Sequence, residues 1–280
     1  MLNLQALLTT SVAVVLCAQS TGGLTSPTAK MHAIIELRQQ CLIGATENGQ
    51  WVPANKIGRA LEGAQKFTLY TLRGPAGEVT ADIGRESSPL RENACEEPWD
   101  AKSLSPEGSG VAITSPDWNP LPRVPRAIDV RDTTYVKVVG QILRAAGLRN
   151  PEVKIMEGYK IDLDGDGKEE VVIVASRYKQ GLSELTGIGR GTSPGDYSLV
   201  FVRKIVGTRV RDIFVVKDVR LRENDGGLPR GYHLSAIADL NGDGLMELAL
   251  YSAYFEGSST DFIEIKGDKA KGVLSCGCEH

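Results

Sequence analysis

The sequence predicts a mainly β protein. It reads as a small N-terminal α+β unit, one linker helix and a C-terminal pair of antiparallel, blade-like sheets. Three observations carry this. Residues favouring strands run through Glu170–Ser176, Tyr197–Ile205, Val210–Val219, Tyr232–Ala238, Glu247–Tyr254 and Asp261–Ile265. One stretch, Asp132 to Gly147, has the broad apolar stripe of a good helix. Finally, Tyr159–Ile173 is paralleled by Ser235–Leu250. In each copy a short strand enters an acidic glycine loop and a second strand leaves it.

The elements follow in chain order. Met1 to Ser20 contain no charged side chain, Ala6 to Ala18 are apolar, and Ala18-Gln19-Ser20 offers small residues for cleavage. Residues 1–20 are therefore expected to be a secretory signal peptide, which points to a secreted or periplasmic location. Beyond them no run is apolar and long enough to span a bilayer, so no transmembrane segment is expected in the mature chain. Residues 31–101 read as the small α+β domain. Asn48-Gly49 between Leu42-Ile43 and Trp51-Val52 is a strong hairpin signal. Lys56 to Ala64 suggests a helix, Phe67–Leu72 alternates as a strand, and Gly74-Pro-Ala-Gly77 is expected to turn the chain. Residues 102–150 read as a Pro-rich linker followed by the helix. Pro116, Pro120, Pro122 and Pro125 forbid regular helix, and Trp118 is expected to pin the linker to the body. Asp132 can cap the helix and Gly147 can end it. Residues 151–275 hold the two blade-like repeats, with hairpin turns at Gly207-Thr208 and Gly267-Asp268.

Composition narrows the function. The chain has 280 residues, 41% hydrophobic and 24% charged, enough for a real core without obligatory staples. The net charge of -3 leaves no basic excess for phosphates, so nucleic acid is not an expected partner. Setting Cys17 aside, Cys41, Cys95, Cys276 and Cys278 remain. Export permits a disulfide bond, and pairing of Cys41 with Cys95 is favoured because both lie in the first half. The tail Cys276-Gly-Cys278-Glu-His280 looks like a soft-metal chelator, but a terminal tail holds no fixed tetrahedron.

The acidic loops carry the chemistry. The first presents Asp162, Asp164, Asp166 and Glu170, and the second Asp239, Asn241, Asp243 and Glu247, both at relative positions 1, 3, 5 and 9. Calcium takes six to eight hard oxygen ligands. Alternate residues of a curled loop can aim at one centre, and the backbone carbonyl of Lys168 or Leu245 at position 7 would add a ligand. Gly165, Gly167, Gly242 and Gly244 permit the curl. Carboxylates crowded this closely repel unless a cation joins them. An EF-hand would need a glutamate at position 12, where Ile173 and Leu250 stand, and flanking helices in place of strands.

The loops Asp162-Leu-Asp164-Gly-Asp166-Gly-Lys-Glu-Glu170 and Asp239-Leu-Asn241-Gly-Asp243-Gly-Leu-Met-Glu247 resemble the FG-GAP/VCBS type repeat, found between strands of propeller blades in integrin alpha chains and exported bacterial proteins. The resemblance covers roughly Pro151 to Ser275 and implies one calcium ion in each loop, two in all. Two repeats, with Glu rather than the commoner Asp at position 9, predict two packed blade-like sheets and not a closed propeller.

Other motifs are weaker. Gly191-Thr-Ser193-Pro-Gly195 matches an esterase string but lacks the strand-to-helix turn that chemistry needs. Gly187-Ile-Gly189-Arg-Gly191 lacks the strand–loop–helix context for phosphate. The expectation is a secreted calcium-binding β-repeat protein, non-enzymatic, structural or binding a protein or glycan. The alternative is an exported hydrolase with an active-site loop at Gly181–Gly195.

Overall fold

The structure, a computed structural model, describes residues 30–85, 99–103, 109–179, 182–183, 187–188, 191–223, 229–254 and 257–278. The expected signal peptide, Cys17 and Cys95 lie outside the described residues. The chain is mainly β, as its alternating runs require.

The first unit is one curled sheet. Its strands are β1 (Met31–Glu36), β2 (Cys41–Glu47), β3 (Gln50–Pro53), β4 (Gly63–Thr71), β5 (Gly74–Arg85), β6 (Trp99–Ser103) and β7 (Val111–Ile113). They are ordered β1-β7-β4-β5-β6-β2-β3, and β1 also pairs with β2, so the sheet returns on itself. The closure is loose where β2 meets β6 at the single pair Cys41↔Asp100. Side chains alternate across the wall. Ala33, Ile35, Leu42 and Ala112 point inward with Phe67, Val79, Ile83 and Trp99. Ile34, Ile43, Val111 and Ile113 point outward onto the C-terminal sheets.

Two details of this unit differ from the sequence expectation. The helix expected over 56–64 is one turn of α-helix, α1 (Ala54–Ile57), followed by a 3-10 turn at Gly58–Leu61. Gly63, at φ +95°, then turns the chain into β4. The segment 102–126 is not all linker, because Val111–Ile113 is a buried strand between β1 and β4. Three residues are too few to display a period.

Gly58 lies face-on against the Trp99 indole, where a Cβ would overlap the ring. We predict that Gly58→Ala destabilises by about 1–3 kcal/mol, read as a lower urea midpoint. An unchanged midpoint would refute this packing.

The second part begins with β8 (Arg126–Ala127) and α2 (Thr133–Ala145). Asp132 caps α2 by accepting the Thr134 N–H at 2.7 Å. The strands β9 (Ile155–Ile161) and β10 (Glu170–Arg177) come next, then a small hairpin of β11 (Leu182–Ser183) and β12 (Gly187–Ile188). After these come β13 (Tyr197–Val206) and β14 (Arg209–Val219). One antiparallel sheet has the order β14-β13-β10-β9-β8. The other is β15 (Gly231–Ala238), β16 (Glu247–Tyr254), β17 (Gly257–Lys266) and β18 (Lys269–Cys278), in sequence order. Each contains a four-stranded meander in which an acidic loop joins the first and second strands.

Alternation also sets the layers. Ile173, Ala175, Leu199 and Phe201 face α2. Val172, Val174, Val200 and Val202 face the shared core, with Ile237, Leu248 and Phe262 of the last sheet and Ile34 and Ile113 of the curled sheet.

The disulfide pairing is corrected. Cys41 is bonded to Cys276, with Cα atoms 6.4 Å apart and a sequence separation of 235. Proximity in sequence was a poor guide, because the first and last sheets pack side by side.

Candidate metal centre

Both acidic loops adopt the same curl, held by four matching hydrogen bonds. In the first, the Asp162 carboxylate accepts the N–H groups of Gly165 (2.7 Å) and Gly167 (3.0 Å). In the second, Asp239 accepts those of Gly242 (2.7 Å) and Gly244 (3.0 Å). At position 5, Asp166 accepts the N–H of Lys168 at 2.8 Å and Asp243 that of Leu245 at 2.9 Å. At position 9, Glu170 accepts the N–H of Leu163 at 2.7 Å and Glu247 that of Leu240 at 2.8 Å. The glycines at positions 4 and 6 have φ of +74° and +82° in one loop and +78° and +84° in the other. This curl is easy only for glycine. Leu163 and Leu240, at position 2, are buried in the shared core and anchor each loop from below.

In the first loop the curl brings three of the expected ligands together. One ligand atom from each of Asp162, Asp164 and Asp166 lies within 4.8 Å of the others, a grouping that could hold a metal ion. At the matching positions the second loop has Asp239, Asn241 and Asp243. Asn241 accepts the N–H of Asp243 at 3.0 Å. Lys168 and Leu245, expected to contribute carbonyls, lie in the turn just before the exit strand of each loop.

Burial makes the second loop electrostatically demanding. Glu247 is 1% exposed, and its Oε1 has no hydrogen-bond partner. Burial, reinforced by the Asp243, Asp239 and Glu264 carboxylates, pushes its pKa up to about 9 against the pull of the Leu240 N–H. Asp239 is also raised, chiefly by burial. In the first loop burial raises Glu170, while the Leu163 N–H and Lys204 oppose it. Asp166 is lowered by its hydrogen bonds from Lys168. Close carboxylates of this kind repel one another, and a cation between them relieves that repulsion.

The loops are also fastened to each other and to the linker. Met246 N–H donates to the Leu163 carbonyl at 2.9 Å. Arg123 donates to the carbonyls of Leu163 (3.3 Å) and Gly244 (2.7 Å). Trp118 Nε1–H donates to the Asp239 carbonyl at 2.8 Å, and Asp239 N–H donates to Pro120 O at 2.8 Å. Trp118 also stands edge-on to His32, so it pins the linker to both parts. The N-terminal hairpin reaches the same place: Trp51 Nε1–H donates to Glu264 at 2.6 Å.

Lys204, Glu264 and Lys266 are the residues of this region that loop spacing did not reveal. Lys204 donates to Asp164 and lies 3.6 Å from Glu170. Lys266 lies 3.3 Å from both Asp243 and Glu264. Strand parity contained the signal: Lys204 shares the inward face of Val200 and Val202, and Glu264 that of Phe262.

In the Gly181–Gly195 segment, Ser193 meets acids. Its N–H donates to Asp196 at 2.8 Å and its hydroxyl to Glu223 at 3.4 Å. His32 Nδ1–H donates to the Thr114 carbonyl at 3.0 Å, and His233 lies 3.7 Å from Glu157. Among the described residues no helix is long and apolar enough to cross a membrane. No protein-family model, curated protein or solved structure matches this chain.

Proposed function

We propose that this is an exported calcium-binding β-repeat protein of the FG-GAP/VCBS type, non-enzymatic, in which calcium braces the junction of the curled sheet with the two meanders. The observation that carries the reading is the duplicated loop, built with one hydrogen-bond pattern in both copies. The first ion would be held by Asp162, Asp164, Asp166 and Glu170 with the Lys168 carbonyl. The second would be held by Asp239, Asn241, Asp243 and Glu247 with the Leu245 carbonyl. All are hard oxygen donors, which suits calcium. Its chemistry here is charge neutralisation and cross-linking.

The location supports a bracing role. Both loops are tied to the linker through Arg123, Trp118 and Pro120, and Trp51 reaches Glu264 beside the second. An exported location would fit this role, since extracellular calcium would keep even weak sites filled, and the Cys41–Cys276 disulfide is compatible with such a compartment. The rims of the meanders are the surface we assign to a protein or glycan partner.

Thermal unfolding in EGTA and in millimolar calcium tests the reading. A metal that binds only the folded form at a hundredfold excess over its dissociation constant adds about 2.7 kcal/mol per site. We expect calcium to raise the midpoint of the wild type and to leave an Asp164→Ala/Asp243→Ala variant unmoved. A wild type indifferent to calcium would reduce the loops to turns.

A further inference from the structure

The two loops share a backbone but differ at one structurally equivalent position on the neighbouring strand. In the first meander, one residue beyond the Val171↔Arg203 pair, Glu170 faces Lys204. In the second, one residue beyond the Leu248↔Ile263 pair, Glu247 faces Glu264. A cation therefore stands against the first loop where an anion stands against the second.

The surroundings sharpen this inversion. Lys204 is 5% exposed, with its ammonium on Asp164 and beside Glu170. These are two of the residues that would serve the first ion. Glu264 is 7% exposed and hydrogen-bonded to Trp51, so it too is held in place. Glu247 is buried inside the second loop with Oε1 unpartnered. Lys266 does approach Asp243 and Glu264, but its side chain is 52% exposed and can swing into water. Lys204 is held far closer to its loop, since its side chain is only 5% exposed and its strand neighbours on that face, Val200 and Val202, are in the core.

We propose that Lys204 is a tethered counter-cation that weakens the Asp162–Glu170 loop for divalent metal relative to the Asp239–Glu247 loop. The two loops then fill in order, the second first. This rests on the calcium reading above. Filling the first loop displaces the Lys204 ammonium from Asp164, so Lys204 sets the concentration at which that loop responds. A positive charge within about 4 Å of a ligand carboxylate opposes a dication strongly enough to cost at least about tenfold in affinity.

Calorimetric titration of the purified protein with calcium chloride tests this. We expect two affinity classes in the wild type. Glu247→Gln should abolish or weaken the tight class. Lys204→Met should tighten the weak class at least tenfold and leave the tight class alone. Lys204→Arg, which keeps the charge, should keep the weak class weak. If Lys204→Met fails to fold, Lys204→Gln takes its place. Two equal wild-type sites, or a weak class unmoved by removing the charge, would overturn the proposal and leave the calcium reading intact. Absence of calcium binding in the wild type and the Lys204 variants alike would overturn both.

Discussion

Replacing Cys41 and Cys276 together by Ser is expected to lower the unfolding free energy by about 4–5 kcal/mol. The bond joins residues separated by 235 positions, so it constrains the unfolded chain close to the maximum a disulfide can. It also links β2 of the curled sheet to the last strand, β18. The same junction contains the hydrogen bonds Ser258–Gln39 and Trp51–Glu264. Urea unfolding of the wild type and the double variant, each in calcium, measures the effect. Coincident midpoints would mean that the noncovalent junction alone holds the two parts.

The second large effect concerns pH without calcium. The Glu247 pKa rises from an ordinary 4.5 to about 9 on folding. The folded protein then keeps a proton that the unfolded chain releases, so stability falls as pH rises from 4.5 to about 9. By pH 7 the loss from this one group is about 3 kcal/mol. Glu247→Gln removes it, so in EGTA the variant should be more stable than the wild type at pH 8 and nearly equal at pH 4. Burial also raises Glu36 and Glu157, which add a slope of the same sign. The difference between wild type and variant therefore isolates Glu247. Calcium should invert the comparison, since metal binds the carboxylate and competes with the proton. Parallel pH profiles in EGTA would show that Glu247 titrates normally.

Much of the fold was legible. The strand at Glu247–Tyr254 was read with its observed bounds, and the helix capped by Asp132 lies where its apolar stripe placed it. Long runs with a clear period leave few alternatives. The loops were legible because ligand spacing within nine residues is local, and the structure brings Asp162, Asp164 and Asp166 together. The curled sheet was not legible. Its closure joins β1 to β7 and β7 to β4 through the triplet Val111–Ile113, set in Pro- and Gly-rich sequence with no period to read. The disulfide depended on two sheets packing across the whole chain. Lys204 and Glu264 act on the loops only through cross-strand register, and a sequence reveals that only once strand partners are known.

Crystals grown in millimolar calcium, measured where calcium scatters anomalously, test the loops most directly. We predict one anomalous peak among Asp162, Asp164 and Asp166, with the Lys204 ammonium moved off Asp164, and a second among Asp239, Asn241 and Asp243. Loops without either peak, with Lys204 still seated on Asp164, would contradict calcium binding here.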